Sequence, residues 1–394
     1  MRRLTLAVLA LVSACSTSPS PRTSALALSG HTSAIGTASY AAWPQASHDA
    51  RRSGSSPSTG PQTGHLRWTR KLEGDVTPGP VIGLDGTIYA SSNAGTLHAL
   101  NPKTGEDVWT FSGGSGFGSD LSTSAAVLPD GTVLWPGPGG LYALTAQGKQ
   151  RWRLSLGGQV TSPAVDGARV VVGTTSGVVA AIDVARGTTV WKTQLGGGGY
   201  GSVALSPTDA HRAYTTVDDQ LVALDDDKVA WRAPLGKTSE VSPAVGPDGT
   251  VVVGSNAPYE RGFSPSGKEL WRFDRHAETY SSPVVTDDGI AYFGDHHAVV
   301  SAVDASTGRL LARYPGPTSR PKGGRSVGIW TSPVVDARHD VYSGSRSGHV
   351  HAVDASGRTL FDLDTGATVD SYPALGDDLL VVGVTDGRLL GIGA

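Results

Sequence analysis

The sequence predicts an all-β chain folded as one eight-bladed β-propeller of four-stranded antiparallel blades, closed by an N-terminal outer strand. Three observations predict it: a composition that disfavours helices, a repeat of about 40 residues, and an isolated strand that completes the last blade. Gly accounts for 53 of 394 residues, nearly twice the usual share of about 7%. Only six of the 35 acidic residues are Glu; Asp hydrogen-bonds its own backbone in turns and is a poor helix former. The chain is 38% hydrophobic, enough to bury a core. Its net charge of −3 leaves no basic surplus for nucleic acid. One cysteine excludes an intramolecular disulfide and any Cys-based zinc cluster.

Tryptophan recurs at Trp68, Trp109, Trp152, Trp191, Trp231 and Trp271, with Ala312 and Phe361 at the next two positions. A period near 40 suits a four-stranded blade, whereas helical repeats of that length need helix formers that are scarce here. Each unit has one order. In the fifth, Val241-Ser242-Pro243-Ala244-Val245 leads to a Pro247-Asp248-Gly249 turn and Thr250–Gly254, then Gly262-Phe263-Ser264, a turn at Pro265-Ser266-Gly267, and Lys268-Glu269-Leu270-Trp271. Short β-rich runs between Asp-Gly or Ser-Gly turns predict a meander. Eight inner three-strand sets begin near Thr77, Ser122, Thr161, Tyr200, Glu240, Tyr280, Trp330 and Thr368. The eighth lacks an outer strand, and Leu66-Arg67-Trp68-Thr69 has the outer-strand pattern with no inner strands before it. Pairing the two removes exposed sheet edges.

Ahead of the propeller (66–394), residues 1–15 read as an export signal: Arg2 and Arg3 precede an apolar run from Leu4 to Val12, far short of the ~20 residues that span a bilayer. Ser13-Ala14-Cys15 resembles the bacterial lipobox, which implies a diacylated Cys15 and a lipid anchor on the extracytoplasmic face. Residues 16–41, rich in Ser, Thr, Ala and Pro, read as a flexible linker. Residues 42–65 form a lead-in segment.

The repeating unit Ser-Pro-(Ala/Val)-Val…Asp-Gly…Gly-Ser…(Leu/Val)-Asp-Ala-x-Thr-Gly-x-x-x-Trp resembles the pyrroloquinoline quinone (PQQ) repeat over about 66–394. Trp43-Pro44…His48-Asp49-Ala50-Arg51-Arg52-Ser53-Gly54 is similar to the segment that precedes such propellers in exported proteins. The resemblance implies one of three functions: quinoprotein dehydrogenases, non-catalytic propeller lipoproteins such as the scaffold subunit of the outer-membrane β-barrel assembly machine, and extracellular sensor domains. Fold alone does not choose among them. Quinoprotein alcohol dehydrogenases typically cover PQQ with an adjacent-cysteine disulfide, which one cysteine forbids, and hold calcium on inserted loops, for which these near-minimal units leave little room. No catalytic position transfers, and neither PQQ nor calcium is expected as a cofactor.

Other motifs read as structure. Gly196–Gly199 precedes neither Lys-Ser/Thr nor a helix, so it is a turn rather than a phosphate cradle. His296-His297 and His349-Val350-His351 lack the companions of a metal site, and Asp225-Asp226-Asp227 lacks calcium-ligand spacing.

Two regions remain as candidates. Residues two before each Ser-Pro-like pair should ring one mouth of the axis: Thr77, Ser122, Val160, Tyr200, Glu240, Tyr280, Trp330 and Asp370. All but Val160 are polar or aromatic, a mixture suited to a small polar ligand or a peptide; a hydrated channel whose residues only support blade turns is the alternative. The longest inter-blade loop, from Tyr314 to Ile329, carries Arg320, Lys322 and Arg325, and with Tyr259, Arg261, Arg275 and Arg346 it forms a candidate partner patch, beside the alternative of a basic loop with no partner. The expectation is an exported, lipid-anchored, monomeric, non-catalytic propeller that binds an envelope protein or a small polar ligand through its loop face. Two alternatives stand beside it. One is an enzyme at the axial mouth with Glu240 or Asp370 as acid or base beside Tyr200, Tyr280 and Trp330; the other is an extracellular ligand-binding sensor.

Overall fold

The computed structural model describes residues 42–114, 123–167, 169–316 and 328–394. The first strand, β1 (Leu66–Lys71), is set apart from the blade that follows it. Blade 1 comprises β2 (Val81–Ile82), β3 (Ile88–Ser91), β4 (Thr96–Leu100) and β5 (Asp107–Ser112). Blade 2 comprises β6 (Ala126–Val127), β7 (Val133–Gly137), β8 (Gly140–Leu144) and β9 (Gln150–Leu154); blade 3, β10 (Ala164–Asp166), β11 (Arg169–Gly173), β12 (Val178–Asp183) and β13 (Thr188–Gln194). Blade 4 follows with β14 (Ala204–Leu205), β15 (Arg212–Val217), β16 (Gln220–Asp225) and β17 (Lys228–Pro234), and blade 5 with β18 (Ala244–Val245), β19 (Val251–Val253), β20 (Tyr259–Phe263) and β21 (Glu269–Asp274). Blade 6 is β22 (Val284–Val285), β23 (Ile290–Gly294), β24 (Val299–Asp304) and β25 (Leu310–Pro315). Blade 7 is β26 (Val334–Val335), β27 (Val341–Gly344), β28 (His349–Val353) and β29 (Thr359–Asp364). The eighth sheet runs β30 (Ala374–Gly376), β31 (Leu379–Gly383), β32 (Arg388–Ile392) and then β1, with Trp68 opposite Gly391 and Thr69 opposite Leu390. The ring therefore closes as the sequence predicts.

Seven apolar clusters lie between adjacent blades rather than in one central core. Leu134 and Leu141 of blade 2, for example, pack with Val170, Val172 and Ile182 of blade 3. Inner strands are thus covered on both faces, which is why β7 reads Val-Leu-Trp-Pro-Gly and is buried throughout. Outer strands alternate, as in β5.

The tryptophan repeat marks a β-bulge. In every blade the pairing of the outer strand slips by one residue just before the Trp position: Leu100 faces Asp107 and Ala99 faces Trp109, leaving Val108 extra. The same slip precedes Ala312 and Phe361, so the register persists where the residue has changed. A bulge bends an edge strand away from further pairing. Five of the six repeat indoles donate to the next blade: Trp68 Nε1 to Pro102 O at 2.9 Å, Trp109 to Ala146 O at 2.8 Å, Trp152 to Val184 O at 2.7 Å, Trp231 to Pro265 O at 2.9 Å and Trp271 to Ala305 O at 2.7 Å. In blade 6, Tyr314 takes this role two residues after Ala312, its hydroxyl 3.5 Å from Ala355 O. The Trp191 N–H finds no acceptor among the described residues.

Candidate functional site

The lead-in segment makes a circuit of all eight blades at one end of the axis. Trp43 exchanges backbone hydrogen bonds with Ile82 (2.9 Å each), Pro44 O accepts from Val127 N, and the Gln45 side chain accepts from Val165 N. Ala50 O and Arg51 O accept from Leu205 and Val245, Arg51 reaches Asp287 at 2.6 Å, Gly54 O accepts from Val335, and Thr59 O from Asp378. Most of these contacts fall on the last residues of the innermost strands. Arg52 is 1% exposed, and its guanidinium donates to four backbone carbonyls, of Ala46, Ser162, Pro163 and Val203. Burial pushes its pKa down to about 10, so it is a cation at neutral pH.

The other end, before the innermost strands, is the mouth expected from the sequence. Just inside it runs a serine relay: the backbone N–H of Ser124 donates to Ser162 Oγ, Ser162 to Ser202, Ser202 to Ser242 and Ser242 to Ser282, at 2.9–3.1 Å. This relay sets equivalent positions of blades 2 to 6 in one ring. Two residues above it, the candidates do not form an even circle. Thr77 is half-buried and bonded to Asn93 in its own blade, Ser122 lies outside the described residues, and Tyr200 and Glu240 are exposed.

The concentrated chemistry lies on blades 6 to 8. Tyr280 and Trp330 pack with ring centroids 4.4 Å apart, and His296 stacks on Trp330 at 5.1 Å with planes 13° apart. The Arg346 guanidinium lies 3.5 Å from the Trp330 ring centroid and is held by both carboxylate oxygens of Asp370, at 3.1 and 3.0 Å. Burial lowers the His296 pKa, keeping its imidazole neutral. Burial raises that of Tyr280, with the nearby Glu240 and Glu278 carboxylates adding to the rise. Tyr372 also belongs here: burial, Asp370 and Glu240 raise its pKa, while a hydrogen bond with Ser282 opposes them. His296 and Tyr372 escape the reading of Ser-Pro spacing, because one enters from the loop between β23 and β24 and the other occupies the serine position itself.

The partner patch does not hold together as expected. Strand β20 begins at Tyr259, earlier than Gly262, so Arg261 sits within a strand, 7% exposed, bonded to Glu269 and Pro234 O. Arg275 is 3% exposed and donates to the carbonyls of Ser255, Ala257 and Tyr259. Neither is an exposed anchor. Tyr259 stacks under Arg272. Arg346 belongs to the mouth, and Arg320, Lys322 and Arg325 lie outside the described residues, as does Cys15.

The residues present do not fit PQQ. A flat tricarboxylate needs a free ring face and free cations, but Trp330 is engaged by Arg346, Tyr280 and His296, and Arg346 and Lys237 pair with Asp370 and Glu278. Among the described residues, no group of three or more His, Cys, Asp or Glu is placed to hold a metal ion.

The family described as outer membrane protein assembly factor BamB matches residues 56–121, 94–214 and 175–393. The chain belongs to this family. It is 27% identical over 332 residues to outer membrane protein assembly factor BamB of Burkholderia pseudomallei, covering 79% of this chain and 82% of that one. It is 25% identical to the protein of the same name from Yersinia pestis, over 77% of this chain and 70% of that one. Among solved structures, BamB from Moraxella catarrhalis matches with a TM-score of 0.62 and 19% identity, over 84% of this chain and 99% of that one. Quinohemoprotein alcohol dehydrogenase from Comamonas testosteroni matches with a TM-score of 0.68 and 14% identity, over 89% and 80%. At such identities these two structures speak for the fold alone, which a BamB and an alcohol dehydrogenase share.

Proposed function

We propose that this protein is an exported, lipid-anchored, non-catalytic propeller that scaffolds protein assembly at the cell envelope. The observation that carries the reading is the match to the BamB family from residue 56 to 393, which takes in the end of the lead-in and all eight blades. Cys15 would be the diacylated residue, and residues 16–41 the tether that lets the propeller reach a membrane-bound partner. The propeller acts as a monomer that presents loops, and PQQ and calcium play no part.

Four measurements test it. Cys15→Ser should move the protein from the membrane to the soluble fraction; retention after a high-salt wash would overturn anchoring by this residue. Crosslinking in cells should capture a membrane-inserted assembly protein, and loss of the gene should lower the amount of assembled envelope proteins; unchanged levels would sink the scaffold reading. Calorimetric titration of PQQ, with and without calcium, should give no saturable heat, and stoichiometric binding would revive the dehydrogenase.

A further inference from the structure

We propose that the axial mouth on blades 5 to 8 is a binding site for an arginine or lysine side chain carried on an extended peptide segment of a partner. The mouth already holds one cation in this manner. Arg346 lies 3.5 Å from the Trp330 centroid while Asp370 grips it through both oxygens, a pairing of ring and carboxylate that suits a guanidinium in both geometry and charge. Next to it stands a second ring with its own carboxylate. Tyr280 packs on Trp330 at 4.4 Å and on His296 at 5.3 Å, and Glu240 holds the equivalent position on the neighbouring blade, where the Ser242 N–H donates to Ser282 Oγ at 2.9 Å. Glu240 is exposed and makes no ion pair among the described residues, and Glu278 pairs with the exposed Lys237 at 3.4 Å.

The chemistry selects a cation over other ligands. Glu240 repels anions, and Arg346 and Lys237 are already neutralised by Asp370 and Glu278. An aromatic face beside a carboxylate attracts a desolvating cation through both the ring quadrupole and direct charge. Residues 42–65 occupy the opposite end of the axis, so a peptide would reach the site from the mouth. The proposal does not depend on the scaffold reading: a protein that assembles nothing could still bind a basic segment here.

The test uses the full chain in detergent and a fluorescein-labelled acetyl-tri-arginine amide, read by anisotropy. The matched tri-citrulline peptide has the same shape without the charge, and an N-acetylglucosamine–N-acetylmuramic acid disaccharide serves as competitor. Saturable binding of the arginine peptide alone is expected, weakening with added salt. Glu240→Gln and Tyr280→Ala should each weaken it about three- to tenfold, Tyr280→Phe should preserve it, and Glu106→Gln, a remote exposed carboxylate, should leave it unchanged. Thermal melts establish that the variants are folded, and the exposed Glu240→Gln decides the matter if Tyr280→Ala is not. Equal binding of the citrulline peptide, unaltered affinity in Glu240→Gln, or displacement by the disaccharide would overturn the proposal.

Discussion

Glu260 and Arg275 face each other at 3.5 Å between blades 5 and 6, both side chains wholly buried. Neither carboxylate oxygen of Glu260 has a hydrogen-bond partner among the described residues. Burial pushes the Glu260 carboxyl up to about 7, Arg275 restoring only part of the difference. Because its folded pKa lies above the unfolded one, the folded state holds the proton more tightly. The resulting stability is complete at acid pH and is lost as pH rises from about 4.5 to about 7, at up to about 1.4 kcal/mol per pH unit. Denaturant titrations at pH 5 and pH 8 should therefore show a fall that Glu260→Gln flattens; an identical pH dependence in the variant would refute the assignment. Arg52 is the opposite case, a buried cation whose hydrogen bonds all run to carbonyls of three chain segments. Arg52→Met strands those acceptors and should cost about 3–5 kcal/mol in denaturant unfolding. It should also open residues 42–65 to limited proteolysis before the blades.

At the scale of elements, the turn between the third and outer strands explains why the repeat pairs Trp with Gly. Gly105 has φ +70°, and a Cβ there would lie 2.5 Å from the Trp68 ring of the preceding blade; Gly148, Gly187, Gly267 and Gly308 stand in the same relation to Trp109, Trp152, Trp231 and Trp271. Gly157 has a similar φ of +75° but open space around it. Gly157→Ala should therefore cost only backbone strain, about 1–2 kcal/mol. Gly105→Ala adds a clash with an indole and should cost about 1–3 kcal/mol more in chemical denaturation. Equal losses would mean that the indole contact contributes nothing. The abundance of Asp has a similar local cause. In the Asp-Gly-Thr turns at 85–87, 130–132 and 248–250, the carboxylate accepts both the N–H and the hydroxyl of the Thr two residues on, at 2.9–3.0 Å.

For the whole molecule, closure depends on two segments from the same end of the chain. Strand β1 completes the last blade, and the lead-in ties the innermost strands together at one end of the axis. Trp68 serves both the blade and the ring, since it pairs opposite Gly391 and docks on Pro102 of blade 1. Trp68→Ala should cost about 3–5 kcal/mol, and by loosening β1 it should leave β32 as an unpaired edge. Light scattering should then report concentration-dependent association below the unfolding midpoint. A monodisperse variant with wild-type stability would show that the ring does not need this strand.

Blade number, strand order and the β1 closure were all legible in the sequence, because each is written locally: a turn, a short apolar run and a Trp recur about every 40 residues. The register held even at Ala312 and Phe361, where the Trp itself is absent. The tertiary structure alone decided what depends on which blades face one another. Tyr314 replaces a Trp by reaching Ala355 on the next blade, and Arg51 meets Asp287 across 236 residues of chain. Arg261 and Arg275, polar in a list of residues, are buried because strand pairing and carbonyls surround them. The mouth is the clearest instance: spacing placed Tyr280, Trp330 and Asp370 at one end of the axis. Only folding brought His296 and Arg346 to them from loops and Tyr372 from the serine ring, since a contact between neighbouring blades leaves no periodic trace in the chain.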